Sequence, residues 1–276
     1  MVERRTTRAP RRVAIVPAYN EAATVEAVLD VLAPLVDELV IVDDGSTDAT
    51  RSIIQAWLPG KSHVRLLCHD DNQGMSEAYY LALSSLRDRL RDGELDSDDL
   101  VFTVDADGQH DLGVLDTLTQ ITIDEGLDAM LARRDLSDYP PYKVFGNWVM
   151  STWASLWAGT RLYDVESGYR IFRLGALVHA LDYYQGYQYS ETVEVAVVMC
   201  RLGYRVRNDY LVPVPIFRSR TRMKDAVIDL AVVPLAAWRV VRRKRKYAPV
   251  IAGVVGGAVL AGATTAVTKR RGRKTQ

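Results

Sequence analysis

Leu100-Val101-Phe102-Thr103-Val104-Asp105-Ala106-Asp107-Gly108-Gln109-His110-Asp111 decides how this chain folds. An apolar, β-branched and aromatic run stops abruptly in a cluster of acids, as a buried strand does when it delivers polar groups at its carboxyl end. Side chains two apart on an extended segment point the same way, so Asp105 and Asp107 can converge. Two hard carboxylates and the Gln109 amide carbonyl suit Mg²⁺ or Mn²⁺, ions that also bind diphosphate oxygens. A calcium loop is the obvious rival, but its longer acidic ladder and closing Glu are missing here.

The same arrangement recurs upstream. Residues 13–17 read as a buried strand that ends in Pro17-Ala18-Tyr19-Asn20-Glu21, and residues 38–42 as a second that ends in Asp43-Asp44-Gly45-Ser46-Thr47-Asp48. Helical spacing covers 21–33, 47–57 (with Ser46 or Thr47 as N-cap), 76–89 and 112–125, and further strands are expected at 64–68 and 129–132. Strands alternating with helices predict an α/β fold with a mostly parallel sheet and helices on both faces. Such sheets bind ligands beyond the carboxyl ends of their strands, where each of these clusters falls. Tyr19 and Glu21 can contact a nucleobase, one by its ring and the other by accepting hydrogen bonds. The second cluster can accept from base and ribose, while Gly45 lets the backbone turn sharply. No Gly-x-Gly-x-x-Gly follows the first strand, which removes the main support for hydride transfer.

The 276 residues are 48% hydrophobic and 25% charged, with a formal net charge of +0. That composition fits a filled globular core and gives no global field to attract nucleic acid. Cys68 and Cys200 stand far apart and outside any metal-ligand spacing, which favours a reducing setting and places the catalytic domain on the cytoplasmic side. A basic arm over 1–12 runs straight into the first strand, so no signal peptide is expected there. Residues 143–158 carry Phe145, Trp148, Trp153 and Trp157. Their pattern favours a core helix over one lying at a membrane face.

Beyond the expected catalytic domain at 13–224 the character changes. Residues 225–246 read as an amphipathic helix on a membrane surface, its basic run meeting anionic headgroups. Residues 247–268 are a candidate transmembrane helix and 269–276 a basic tail. The uncharged part, 247–267, would span roughly 30 Å as a helix. Gly253, Gly257 and Ala261 form a small-residue stripe through which a homo-oligomer could pack in lipid. The cell membrane is therefore the expected location.

Taken together, these residues resemble the family 2 glycosyltransferases, inverting enzymes with the GT-A fold, from about Val13 to about Lys224. The resemblance implies that Pro17, Tyr19, Glu21 and Asp44 hold the nucleoside of a nucleotide-diphosphate sugar, of the GDP-mannose or UDP-glucose type. It implies that Asp105, Asp107 and Gln109 manage metal and diphosphate. Asn72-Gln73-Gly74 looks like the family's Asn-x-Gly segment, with Met75 where a basic residue often follows.

A narrower likeness lies in Asp164-Val165-Glu166-Ser167-Gly168-Tyr169-Arg170, which resembles the Asp-x-x-Ser-Gly-Phe-Arg segment of dolichyl-phosphate mannose synthases and related polyprenyl-phosphate glycosyltransferases. That group implies a polyprenyl-phosphate acceptor, with Ser167 and Arg170 gripping phosphate and Arg134 a further phosphate-facing arginine. Glu191 or Glu194 fills an acidic position after Gly186-Tyr187, and Arg220 and Lys224 close the pattern, with Met223 where Ser is usual. The alternative is a transferase of the same family that adds sugar to a saccharide or lipid-linked saccharide, which would need a general base such as Asp111 or Asp164.

Overall fold

The structure, a computed structural model, describes residues 8–185, 191–213 and 223–244. Its strands are β1 (Arg12–Ala18), β2 (Glu38–Asp44), β3 (Val64–His69), β4 (Leu100–Thr103), β5 (Ala129–Leu131), β6 (Arg133–Arg134), β7 (Arg170–Arg173), β8 (Val206–Arg207) and β9 (Leu211–Val212). The helices are α1 (Val25–Leu32), α2 (Thr50–Trp57), α3 (Met75–Arg91), α4 (Leu115–Asp124), α5 (Pro141–Ala158), α6 (Leu174–Leu181), α7 (Glu191–Leu202) and α8 (Met223–Lys244). Seven strands form one sheet in the order β3-β2-β1-β4-β7-β5-β8, and β6 pairs with β9 in a separate parallel ribbon.

Strand alternation divides the interior into two layers. Val13 and Ile15 of β1 and Val40 and Val42 of β2 face α3, α5, α6, α7 and α8. Ala14 and Val16, with Leu39 and Ile41, face α1, α2 and α4. Helices cover both faces, as the alternating pattern leads one to expect, and the central positions of the strands buried on two sides are apolar on both faces.

One strand departs from the expected pairing. Neighbouring pairs among β3, β2, β1 and β4 are parallel, but β7 is antiparallel to both β4 and β5. Its sequence, Arg170-Ile171-Phe172-Arg173, is too short to show a period and has an arginine at each end. Both arginines are buried all the same. Arg173 donates through Nε to the Leu127 carbonyl at 2.8 Å and lies 3.3 Å from Asp98.

α8 also differs from the surface helix read from sequence. Val232, Val233, Ala236, Ala237 and Val240 are buried, four of them in the same layer as α5 and α7, and the helix continues through Pro234. A boundary at 224/225 therefore does not separate two packing units. Among the described residues no helix is long and apolar enough to cross a membrane. The candidate span 247–268 with Gly253, Gly257 and Ala261, the tail 269–276 and residues 1–7 of the basic arm lie outside the described residues.

The loops after β1, β2 and β3 are laced to one another. Asn20, at φ 56°, accepts at Oδ1 from the Thr47 amide at 2.8 Å, while its own amide donates to Ser46 Oγ at 3.0 Å. The Glu21 amide donates to Thr50 Oγ1 at 2.8 Å, and Asp48 Oδ1 accepts from the Thr50 amide at 2.9 Å. Ser46 and Thr47 are thus engaged with the neighbouring loop, and α2 begins later, at Thr50. Gly45, at φ +69°, is the tightest point: a Cβ there would lie 2.3 Å from the Asp71 carbonyl carbon.

Gly45→Ala is expected to lower unfolding free energy by about 3 kcal/mol, because backbone must move as well as a left-handed residue be strained. Gly60, at φ +82° with nothing within 4 Å of its Cβ position, isolates the conformational part. Gly60→Ala should cost only about 1–2 kcal/mol. Urea unfolding compares the two, and equal losses would show that the loops after β2 and β3 are not pressed together.

Candidate active site

Because β2, β1 and β4 are adjacent and parallel, the clusters that follow them meet along one edge of the sheet. Pro17 lies next to the end of β1 opposite Val42, and Tyr19 and Glu21 follow on a half-buried loop. Asp44 ends β2 and is almost wholly buried. Its Oδ1 accepts from the Gln73 amide at 3.0 Å and lies 2.7 Å from His69 Nδ1, and its Oδ2 accepts from the Gly74 amide at 2.8 Å. In this arrangement Asp44 holds the Asn72-Gln73-Gly74 turn in place. Asp43 is buried beside it, its Oδ2 taken by Arg51 Nε at 2.5 Å. Of the acids in the second cluster, Asp43, Asp44 and Asp48 all bind protein groups.

The loop after β4 is pinned from the side, since Thr24 Oγ1 donates to the Ala106 carbonyl at 2.8 Å. Asp105 and Asp107 are both half-buried here. Asp107 accepts from Gln109 twice, at 3.0 Å from the backbone amide and 2.7 Å from Nε2, so the side-chain amide turns its nitrogen to Asp107. The Asp105 amide donates to His110 Nδ1 at 3.2 Å, and the other ring nitrogen, Nε2, lies 3.5 Å from Asp105 Oδ2. His110 in turn stacks on Tyr169 with ring centroids 4.9 Å apart. Burial pushes the Asp105 carboxyl above its ordinary range and the charge of Asp107 adds to this, while His110, Arg170 and Arg134 oppose it.

These features fit a divalent cation. Among the described residues no three His, Cys, Asp or Glu side chains gather as a closed metal site. Two half-buried carboxylates in mutual repulsion offer instead the partial oxygen shell that Mg²⁺ takes when diphosphate oxygens supply the rest.

On the far side of β4 lies the second half of the site. Gly168 presses on the loop so closely that a Cβ would sit 2.9 Å from Asp105 Oδ2, and Thr103 Oγ1 donates to the Gly168 carbonyl at 2.6 Å. Arg134 is held by Asp164 through Nε at 2.8 Å and Nη2 at 2.9 Å, with the Arg134 amide donating to the same carboxylate at 3.0 Å. Nη2 also lies 3.4 Å from Glu166 Oε2 and from Asn147 Oδ1 of α5. Asp164 keeps the guanidinium charged well beyond the usual arginine range despite its burial, and burial pushes the Glu166 carboxyl up.

Several sequence-read roles change at this point. Arg170 is buried and spends its donors on carbonyls: Nε on Ser167 at 2.6 Å, Nη2 on Val165 at 2.6 Å, and Nη1 on Thr192. It ties the Ser167-Gly168 turn to α7 from below, so it does not offer the open phosphate fork read from sequence. Ser167 itself is nearly buried. Asp164, read as a candidate base, is fully buried and neutralised by Arg134. Asp111 uses Oδ1 to cap the Gly113 amide at 2.9 Å. Glu194 is buried against Arg239 and the Gln185 amide. Gly186, Tyr187 and Arg220 lie outside the described residues.

Sequence reasoning missed His110, Asn147 and the structural use of Asn208. The last bridges the Asp164 amide at 3.0 Å and the Leu131 carbonyl at 2.9 Å, fixing the loop that carries Asp164 to β5. His110 was legible beside the acids, whereas Asn147 and Asn208 are lone amides that only the fold brings near.

The fold has known counterparts. A dolichyl-phosphate N-acetylglucosaminyltransferase that uses UDP-N-acetylglucosamine, from Methanococcus voltae, is 26% identical over 202 residues, covering 67% of this chain and 78% of that protein. Glucosyl-3-phosphoglycerate synthase from Mycobacterium tuberculosis, solved with Mn²⁺, UDP-glucose and phosphoglyceric acid, superposes with a TM-score of 0.57 at 18% identity, covering 84% of this chain and 80% of that one. A Pyrobaculum calidifontis mannosyltransferase solved with GDP-mannose and Mn²⁺ gives 0.57 at 19% identity, covering 96% and 81%. The structural likenesses establish the fold, and the glycosyl transferase family 2 model matches residues 13–175, more than half of the sequence. Polar clusters at three adjacent strand ends and that match lead to one conclusion: the chain belongs to glycosyl transferase family 2 and is a glycosyltransferase that uses nucleotide sugars.

Proposed function

We propose that this transferase moves a hexose from a nucleoside-diphosphate donor onto a polyprenyl phosphate at a membrane surface, with Mg²⁺ or Mn²⁺ held by Asp105 and Asp107. The observation that carries the acceptor is Arg134. It lies within electrostatic reach of Asp105, and Asp164 occupies its Nε and Nη2, which leaves Nη1 for a ligand. A guanidinium held in one orientation suits a phosphate oxygen better than a neutral sugar hydroxyl. The Methanococcus voltae relative acts, by its name, on dolichyl phosphate, which supports the same acceptor class.

On this reading the donor's base and ribose lie against Pro17, Tyr19 and Glu21, where β1 ends beside β2. Asp44 acts through the Gln73-Gly74 turn that it holds. The cation supplies neutralisation of the charge that grows on the departing nucleoside diphosphate. Gln109, bonded to Asp107 by its amide nitrogen, orients that carboxylate and keeps its carbonyl oxygen for the same centre.

A phosphate acceptor is already largely ionised at neutral pH, its second pKa lying near 6. The chain then needs to position a nucleophile more than to deprotonate one. That agrees with a site in which Asp164 is committed to Arg134 and Asp111 to a helix cap.

Radiolabelled GDP-mannose, UDP-glucose and UDP-N-acetylglucosamine, each offered with a short polyprenyl phosphate and Mn²⁺, test this directly. Labelled lipid from one donor, lost on adding EDTA, is the expected result; donor hydrolysis or donor binding with no lipid product would favour a saccharide acceptor. Asp107→Ala should lower turnover on the order of a hundredfold or more without changing the thermal midpoint. Arg134→Lys, which keeps the charge but not the fork, should lower kcat/KM for the lipid phosphate about tenfold while leaving nucleoside-diphosphate affinity unchanged. Equal loss of donor affinity would place Arg134 on the wrong side of the reaction.

A further inference from the structure

α5 carries an outward face with no charge on it. Between Val144 and Ala158 the helix has no acidic or basic residue, yet its outer side is left uncovered by the rest of the fold. Tyr142 is 71% exposed, Phe145 64%, Trp148 61% and Leu156 68%. Their spacing places them, with exposed Thr152, along one stripe about 21 Å long. Asn147, Met150, Ser151, Ala154 and Ala158 form the buried side. The core reading of this helix therefore holds for one face, with Trp153 and Trp157 packed partly against the interior, and fails for Phe145 and Trp148.

An outward helix face normally carries charge, and soluble monomers rarely leave such apolar stripes uncovered. Tyr and Trp are the rings that concentrate where lipid meets water. What lies next to the stripe points to the same occupant. α8 runs alongside, Trp153 Nε1 donating to the Leu230 carbonyl at 3.0 Å. The sequence leaves α8 through Arg242-Arg243-Lys244-Arg245-Lys246 into residues 247–267, which contain no charge. Arg161 follows the stripe, 4.6 Å over the Tyr163 ring, so that end carries a cation suited to anionic headgroups. Asn147, between Phe145 and Trp148 in sequence, reaches Arg134 across the buried side.

We propose that the stripe formed by Tyr142, Phe145, Trp148 and Leu156 seats in the interfacial layer of a lipid bilayer, setting the Arg134 end of the site at headgroup depth. The docking stands apart from the acceptor's identity; only its use in delivering a lipid phosphate rests on the function proposed above. The full-length chain, mixed with phosphatidylcholine–phosphatidylglycerol vesicles whose acyl chains are brominated, provides the test. Tryptophan fluorescence should be quenched, and Trp148→Phe should remove most of the quenched component. Phe145→Glu with Leu156→Glu should weaken vesicle partition on the order of tenfold, with transfer to a short water-soluble acceptor phosphate unchanged. Quenching that persists in Trp148→Phe would overturn the docking, and so would a stripe that stays unquenched while sedimentation shows a dimer broken by the double variant. Docking with no transfer to any polyprenyl phosphate would leave this inference standing and remove the proposed acceptor.

Discussion

Asp105 leaves the end of β4 with Gly168 packed against its carboxylate, at a distance where a Cβ would stand 2.9 Å from Oδ2. The Thr103 hydroxyl, two residues earlier, donates to the Gly168 carbonyl at 2.6 Å. This contact is possible because β7 is inserted antiparallel between β4 and β5, so the turn that precedes it returns to the carboxyl edge of the sheet. The acids of the loop after β4 and Arg134 of β6 then lie within electrostatic reach of one another. Arg170, buried beneath, fixes the height of the turn through its bonds to three carbonyls. A side chain at 168 would push the two halves apart, and neither half alone could bring donor and acceptor into line.

Much of the acid at this edge is scaffold. Asp43 holds Arg51, Asp44 holds a turn and a histidine, Asp48 caps the start of α2, and Asp164 locks Arg134. Each buried carboxylate is matched to amides or a guanidinium, without which its burial would be costly. That leaves Asp105 and Asp107 half-open, and in Asp105 burial and the neighbouring charge both disfavour ionisation. A site left in this state gains most from a cation, because the cation relieves the repulsion that the fold has built in.

The parallel half of the sheet was legible because β1, β2 and β4 carry unbroken apolar runs that each lead into a polar cluster. β7 was not, since four residues flanked by arginines show no period and Ser167-Gly168-Tyr169-Arg170 reads as a ligand loop. The positions of Asp105 and Asp107 followed from spacing, but the division of labour among the acids did not. Asp44 and Asp164 look in sequence like any carboxylate near a site, and only the partners that folding brings, 25–30 residues away, reveal them as supports. Arg170 shows the same limit: a phosphate-binding arginine and one that clamps backbone carbonyls have the same letter and neighbours. The aromatic helix α5 was ambiguous for a related reason, since core and interface call for the same residues and burial alone tells its two faces apart.

The proposed transfer requires a cation and a diphosphate to bind where Asp105, Asp107 and the Gly168 turn converge. A crystal structure with Mn²⁺ and a nucleoside diphosphate, phased to show the manganese anomalous signal, examines that point most directly. The expected result is manganese at coordination distance from an Asp105 or Asp107 oxygen, with diphosphate oxygens among its other ligands. Manganese bound elsewhere, or a diphosphate seated without contact to the loop after β4, would contradict it.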